Sequence, residues 1–538
     1  MLGRRNPQGS FFHAQSLPHR VPEDSFYGRM GAHSDVLFQD DDLAEMYCPD
    51  NGRPSLPPSL MSGVLLLQFH DDVSDGEAVE RTMFDQRWKV ALNLPIDYAG
   101  FDPSSLSVFR KRLLQHGQER YAFDRFIQVG RAAGFLPDKA TLLIDTTPAK
   151  GAGAVQDTYT LLRKGIRQLL KALGYHLPAK RRGLSSQAKE LVVSYVDREG
   201  RADIDWSDPQ QRAAQLKVLV QDTETALDLA LEQSDEEVRA IGWLLTKILG
   251  DDLDTDEQGD PHMAQGTAPD RIISITDTQM RHGRKSRAQR FDGFKVSVAT
   301  EQSSELILDI ADMAASHGDG KELMPSIERV EQQAQVQVER VIGDGAYNSA
   351  ENLAACAKYP GHPVDLVVPF SRPADPEVHK SAFHMDLAAQ TLTCPQAHTI
   401  PGRPGREGKG RDILRFAFPR AQCEACVLFK RCVRSNVAGR RMRTDPDEAY
   451  LQKARARQPT EEFQRIYRTR SAVERKIAQL ARHGIRDTRY LGERKRQLQR
   501  LWTGAAINLK RLFDLAQSCG VELRAGFAAL PLQATMPA

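Results

Sequence analysis

The chain has 538 residues, of which 41% are hydrophobic, and its 73 Lys and Arg against 71 Asp and Glu give a formal net charge of +2. This length predicts roughly three or four domains, and the composition excludes an intrinsically disordered chain. The best apolar run, residues 64–69, is far too short to cross a bilayer, and the N-terminus lacks the apolar core of a secretory signal. We therefore expect a cytoplasmic protein with no membrane partner, in which the seven cysteines stay reduced.

The positive charge is concentrated near the C-terminus. Residues 401–520 hold 29 Lys and Arg against 12 Asp and Glu, so the rest of the chain is acidic overall. A basic region of this strength is typical of proteins that bind a polyphosphate such as DNA. The alternative is a solvated helical surface that has no partner.

The chain begins with a predicted disordered lead-in over residues 1–40, followed by a predicted helical domain over residues 41–137. Ser74 and Glu77 form a capping box, which indicates the start of an amphipathic helix that we expect to reach residue 92.

A second predicted helix of this domain starts at residues 102–105. Its apolar side chains are expected to face inward, and its basic side chains outward: Arg110, Lys111 and Arg112. Two helices joined by a short turn, the second one basic, are typical of a helix-turn-helix that binds DNA. A purely structural helical bundle fits the same pattern.

Residues 140–147 read as a short β-strand that ends in Asp145. The pattern then turns helical over residues 149–270, which predicts a helical insert. Its helices are expected at residues 161–173, 185–196, 209–233 and 236–249, and the polar residues 251–269 read as a linker.

β-strand patterns resume after the insert, at residues 271–276, 291–300, 305–311, 338–342 and 365–370, with a helix at residues 321–335. The fourth of these strands leads directly to Asp344. Asp277 also follows a strand-like run and competes with Asp145 for the role of first acid. Asp319 is expected to cap the helix that follows it.

Four of the seven cysteines cluster in the loop-rich, basic residues 371–440. They are spaced Cys-x28-Cys-x2-Cys-x5-Cys, namely Cys394, Cys423, Cys426 and Cys432. In a reducing compartment this spacing predicts one structural Zn²⁺ held by four thiolates, with His384 or His398 as substitute ligands. A metal-free reduced cluster and a redox pair are the alternatives.

A predicted long helix runs from its cap at Thr460 to Gly484 and carries Tyr467, Arg470 and Glu474 on one face. A carboxylate among arginines often forms only a solvated ion pair. Two divalent cations, however, need several carboxylates that bridge and flank them to activate a nucleophile and stabilise a leaving oxygen on a phosphodiester. Asp145, Asp344 and Glu474 are therefore the candidate catalytic and metal-binding residues, with Mg²⁺ or Mn²⁺ as the expected ions.

The order of these motifs resembles the DDE transposases of bacterial insertion sequences. The resemblance rests on strand-Asp145, strand-Asp344-Gly-x-Tyr, and Tyr467-x2-Arg470-x3-Glu474, and it extends to residues 508–512 and to the N-terminal helical domain. It implies an α/β fold: a ribonuclease-H-like catalytic core with a helical insert, plus an N-terminal all-α domain and a cysteine-rich subdomain. It implies that the core spans residues 138–370 and 441–520, with a tail at residues 521–538.

The resemblance implies a transposase that cuts insertion-sequence ends and joins them to target DNA. Its expected partner is double-stranded DNA, both terminal inverted repeats and target, in the bacterial nucleoid, with a homo-oligomer when two ends are paired. Tyr467 and Arg470 are expected to bind terminal phosphates. Ala481 stands where such helices often carry a lysine, so Arg475 or Arg482 is expected to bind phosphate instead.

Two other functions stay open. One is a DNA-binding regulator derived from a transposase that has lost catalysis, and the other is a two-metal nuclease without a joining step. The chain has no GxxxxGK[ST] phosphate loop and no GxSxG elbow, which leaves nucleotide hydrolysis and acyl transfer without support.

Overall fold

The computed structural model describes residues 1–5, 20–48, 52–198, 202–285, 288–408, 410–435 and 437–528. It shows a mixed α/β protein with a helical N-terminal region and one large sheet. No helix among these residues is both long and apolar enough to cross a membrane.

Six helices form the N-terminal region. They are α1 (Phe26–Ala32), α2 (Pro58–Asp71), α3 (Asp75–Phe84), α4 (Gln86–Leu92), α5 (Ser104–Gln115) and α6 (Tyr121–Ala132). The single helix predicted up to residue 92 is wrong, because Asp85 breaks it. Its backbone is extended, and its side chain accepts a hydrogen bond from Arg87 N to cap α4.

Part of the predicted lead-in is ordered. Helix α1 lies in it, and Met30, Leu37 and Phe38 are buried in the main hydrophobic core. The expectation of disorder is therefore wrong for residues 20–40, and residues 6–19 lie outside the described part of the chain. The prediction missed these buried apolar side chains because polar residues surround them in the sequence.

The first strand, β1 (Lys139–Lys150), is longer than predicted. Asp145 sits in its middle, opposite Val298, rather than at its end. The helical insert follows, and it consists of α7 (Thr158–Ala172), α8 (Ser186–Val192), α9 (Pro209–Asp228), α10 (Glu236–Asp252) and a hairpin of β2 (Leu253–Thr255) and β3 (Pro261–Met263). This hairpin lies where a linker was predicted. The insert has its own hydrophobic core, built around Leu161, Leu245 and Ile248.

Five more strands complete the sheet with β1. They are β4 (Arg281–Arg284), β5 (Arg290–Glu301), β6 (Ile307–Ala314), β7 (Gln337–Ile342) and β8 (Asp365–Val367). The order is β4-β5-β1-β7-β8, and β6 also pairs with β5. Strand β5 runs antiparallel to β1 and β6, whereas β7 runs parallel to β1 and β8. Residues 271–276 form no strand, so that prediction is wrong; the buried Ile273 supplies the apolar pattern instead.

Two short helices lie between strands of the large sheet, and a cysteine-bearing region follows β8. The helices are α11 (Leu323–Arg329) and α12 (Ala350–Ala357), and the region contains β9 (His384–Asp386), β10 (Thr391–Thr393), β11 (Thr399–Pro401), β12 (Arg403–Glu407), β13 (Arg411–Ala417), α13 (Arg420–Glu424), α14 (Phe429–Cys432) and β14 (Arg441–Arg443). These strands form two small three-stranded sheets.

The chain ends in α15 (Glu448–Arg457), α16 (Glu461–Tyr467), α17 (Ser471–Arg482), α18 (Glu493–Cys519) and α19 (Arg524–Ala528). Thr460 caps α16 as predicted, but residues 468–470 form a 3₁₀ turn, so the predicted continuous helix is wrong. Thr469 Oγ1 donates to Ile466 O at 2.7 Å, a bond that competes with regular α-helical pairing.

Helix α18 joins the N-terminal region to the sheet. It packs against α2 and α6 on one side and β6 on the other, with Trp502 fully buried. Its Asn508 side chain donates to Ile307 O and accepts from Ile307 N, both at 2.8 Å, and so pairs with the β6 backbone. The N-terminal helices and the sheet thus share one hydrophobic core.

Candidate active site

Asp145 and Asp344 lie at the same level of two neighbouring parallel strands. Leu143 on β1 pairs with Ile342 on β7, and each acid comes two residues later. Asp344 caps a short turn, where its side chain accepts from Ala346 N at 2.8 Å. The register therefore brings together two acids that are far apart in the sequence.

Glu474 reaches the same place from the first turn of α17. Arg470 donates to Glu474 Oε1 at 2.5 Å and to Asp145 Oδ2 at 2.6 Å, so a single guanidinium links the two carboxylates. The Arg470 side chain is only 14% exposed, against 58% for Glu474.

The three acids line one open cavity of about 470 Å³ together with Arg470. A fourth carboxylate in its wall belongs to Asp319, which sequence reasoning assigned to a helix cap. That expectation is wrong, because Asp319 accepts from Thr146 Oγ1 at 2.8 Å and Lys295 Nζ at 2.6 Å. Its turn-like setting between two glycines gave no signal of this role.

Four further cations line the cavity: Arg284, Lys285, Lys295 and Arg486. The sequence predicted none of them as a site residue, because they are scattered along the chain. They come from β4, the residue after it, β5 and the segment after α17. The cavity thus combines acids at its floor with cations around them. This pairing suits a phosphodiester that must meet divalent ions.

Asp145 has an unusual protonation equilibrium. Burial raises the pKa of Asp145 to about 6 against the opposing effect of the Arg470 charge, and Asp344 and Asp319 raise it further. Neighbouring carboxylates that disfavour the charged form of Asp145 in this way favour a cation beside it.

Asp145, Asp344 and Glu474 offer the carboxylate oxygens that a hard divalent cation prefers, but the Arg470 guanidinium stands between two of them. No group of three or more His, Cys, Asp or Glu residues in the described ranges is close enough to hold a metal ion. Arg470 Nε and the buried Tyr347 Oη have no hydrogen-bond partner in these ranges. Burial raises the pKa of Tyr347, and the acids at 319, 145 and 344 raise it further. Asp145, Asp344 and Glu474 would hold the ions once Arg470 moves.

The other residues predicted to bind DNA on this helix differ in their surroundings. Tyr467 stacks on Phe463 with ring centroids 5.7 Å apart and is half-buried beside the acids. Arg475 donates to Glu305 at 2.9 Å and keeps 61% of its side chain exposed. Arg482 is exposed in the last turn of α17.

The basic residues of α5 do not share one outward face. Arg110 is buried and donates to both carboxylate oxygens of Asp75 at 2.9 and 2.6 Å, so its predicted outward position is wrong. Arg112 lies over the Tyr47 ring, 4.6 Å from its centroid, whereas Lys111 is exposed. Arg110 therefore ties α5 to α3 and is not free to contact DNA.

The four clustered cysteines surround one small cavity, which Phe383, Phe418 and His398 also line. Burial and the three neighbouring thiols raise the pKa of Cys432, whereas Arg440 lowers it. In the described ranges these cysteines do not form a group of three or more ligands that could hold a metal ion. The structure therefore does not support a zinc ion, and Cys394, Cys423 and Cys432 pack with a small aromatic cluster.

Asp277 does not join the acids. It is buried and pairs with Arg496, with Nη1 and Oδ2 3.5 Å apart, and it does not line the cavity of Asp145. Arg496 also binds Asp312, so Asp277 belongs to a structural network.

Two family models match the sequence. Residues 393–513 match a model described as a transposase DDE domain, and residues 15–112 match one described as a transposase domain (DUF772). The first match contains Glu474, while Asp145 and Asp344 lie outside both. Comparisons with curated proteins and with solved structures gave no match. The two matches support a DDE-type transposase.

Proposed function

We propose that the protein is a DNA transposase that cuts the ends of an insertion sequence and joins them to target DNA. The observation that carries this proposal is the convergence of Asp145, Asp344 and Glu474 on one cavity. The sheet supports it too, because the order β6-β5-β1-β7-β8 with this mixed pairing is that expected of a ribonuclease-H-like core.

In this proposal the three carboxylates hold two Mg²⁺ or Mn²⁺ ions. Bound ions would activate the attacking water or 3′-hydroxyl and stabilise the leaving oxygen of the phosphodiester. Arg470 turns from the acids to the phosphate that enters, and Tyr467 contacts the same strand. Lys295 and Thr146 hold Asp319 in place through the hydrogen bonds that they donate to its carboxylate.

The proposed partner is double-stranded DNA, at terminal inverted repeats and at the target. Two ends must be held together for joining, so we propose a homo-oligomer in that state. Phosphate contacts release counterions, and binding should therefore weaken steeply with salt.

The test uses linear duplexes of the DNA that flanks the coding region, labelled at the 5′ end, with Mg²⁺ or Mn²⁺. The proposal predicts end cleavage and covalent joining to an unlabelled target by the wild type. Glu474→Gln should lose at least about 10³-fold of both steps, whereas the exposed Glu461→Gln should keep them.

Three results would contradict the proposal. Equal activity of wild type and Glu474→Gln would remove the catalytic assignment. Cleavage without joined product would indicate a two-metal nuclease. Tight DNA binding without any chemistry would indicate a regulator derived from a transposase.

A further inference from the structure

The hairpin of β4 and the beginning of β5 carries exposed positive charges at the rim of the cavity. Arg284, Lys285 and Arg290 are exposed, and the first two line the cavity that holds Asp145. None of the three side chains has an ion pair or hydrogen bond anywhere in the described part of the chain.

Two of these charges repel each other across the hairpin. Arg284 lies directly opposite Arg290 in the antiparallel register, a pairing of like charges that destabilises a hairpin. Two positions closer to the base of the hairpin, His282 lies opposite Asp292, and Nδ1 and Oδ1 are 2.6 Å apart. A basic side chain thus faces an acidic one near the base, whereas two cations face each other at Arg284 and Arg290, where the cavity begins.

Local contacts lie at the base of the described part of this hairpin. Gly283 packs against the ring of Phe291, where an added Cβ would lie 2.4 Å from Cζ. Arg281 Nη1 donates to Thr278 O at 2.6 Å and to Met280 O at 2.8 Å. The unpaired cations therefore stand on an anchored base.

We propose that this hairpin binds the phosphodiester backbone of duplex DNA beside the phosphate that enters the acid cavity. A polyanion relieves the repulsion between Arg284 and Arg290, and a duplex places successive phosphates along the rim when one of them reaches the acids. This inference rests on the proposed function and adds a contact surface outside the C-terminal basic region.

The test measures binding of the full chain to a 30-base-pair duplex of flanking DNA in EDTA, so that no chemistry takes place. Arg284→Gln/Arg290→Gln should bind at least about tenfold more weakly at about 0.1 M salt, and the slope of log affinity against log salt should fall by about 2. Arg284→Lys/Arg290→Lys should retain most of the slope because it keeps both charges.

Lys139→Gln is the matched control. Lys139 is exposed at the other end of β1, six residues or about 20 Å of strand from Asp145, and this variant should bind within about twofold of wild type. Unchanged affinity and slope in the Gln double variant would overturn the hairpin assignment and leave the proposed function standing. Both proposals would be overturned if the wild type did not bind the duplex. They would also be overturned if polyglutamate of equal charge displaced the duplex from the wild type.

Discussion

Arg470 Nη2 lies 2.6 Å from Asp145 Oδ2 and joins two residues 325 positions apart in the chain. The same guanidinium binds Glu474, so it occupies the position between two carboxylates that a cation would take. In this state the charge of Arg470 offsets part of the negative charge of the acids. Entry of a divalent ion must displace Arg470, which then becomes free to bind a phosphate.

Replacement of Arg470 should therefore strengthen metal binding in the absence of DNA. We expect Arg470→Gln to bind Mn²⁺ at least about fivefold more tightly than wild type, while its end cleavage falls, because the competitor and the phosphate contact are lost together. Electron paramagnetic resonance of free Mn²⁺ measures the affinity. Arg475→Gln, in the adjoining helix α17, is the control, since Arg475 binds Glu305 instead. Equal Mn²⁺ affinity in Arg470→Gln and wild type would contradict the competition.

Asp71 is predicted to be a main stabilising residue of the N-terminal region. Its buried carboxylate accepts hydrogen bonds of 2.6 to 2.8 Å from Tyr27, His70, Arg81 and Trp88. Burial raises its pKa, but the hydrogen bonds from His70, Trp88 and Tyr27 prevail and hold the pKa of Asp71 below its usual range.

Asp71→Ala leaves these donors without their acceptor, and we expect a loss of about 3 kcal/mol in the free energy of unfolding. Urea denaturation followed by tryptophan fluorescence reports the change, because Trp88 is one of the donors. Asp97→Ala, at an exposed position, should change stability by less than about 0.5 kcal/mol. A similar loss in both variants would refute the role of Asp71.

His483 is predicted to make stability depend on pH. Burial lowers the pKa of His483 against the opposing hydrogen bond with His70 O, and the neighbouring His70 and Lys510 lower it further. The folded protein thus binds a proton at His483 less readily than the unfolded chain. Stability that is fully present above about pH 6.5 should be lost as the pH falls below it.

Melting temperatures between pH 7.5 and 5 test this. His483→Gln removes the titrating group and keeps a donor for His70 O, so its melting temperature should fall less than that of wild type. The exposed His176→Gln should follow wild type throughout. A His483→Gln curve parallel to wild type would exclude this histidine as the source.

The zinc prediction stays a prediction from cysteine spacing, and elemental analysis decides it. A structural zinc would give about one ion per chain, lost in Cys423→Ser/Cys426→Ser but kept in the exposed Cys519→Ser. Three of the four cysteines, Cys394, Cys423 and Cys432, pack against the cluster of Phe383 and Phe418. A metal-free wild type with the stability of a chelator-treated sample would end the zinc prediction.

Local sequence patterns predicted much of the sheet and the positions of its acids. Asp145 and Asp344 stood out because each ends an apolar strand-like run, and Glu474 because it was predicted to share a helical face with Arg470. Asp319 and Lys295 gave no such signal, since their meeting depends on the contact between a turn and β5. Arg110 looked solvent-facing because helix periodicity does not reveal that Asp75 approaches from another helix.

The helix break at residues 468–470 and the order of α1 show a similar limit. The hydrogen bond from Thr469 to Ile466 O accompanies the helix break, and burial against α18 stabilises α1. Neither can be read from composition or spacing, because both depend on hydrogen bonds or tertiary packing.

Anomalous scattering from crystals grown with Mn²⁺ locates the metal directly. We expect manganese bound by Asp145, Asp344 and Glu474 together, with Arg470 turned away from Asp145. Manganese bound elsewhere, or Arg470 still bridging Asp145 and Glu474 at saturating Mn²⁺, would contradict this expectation.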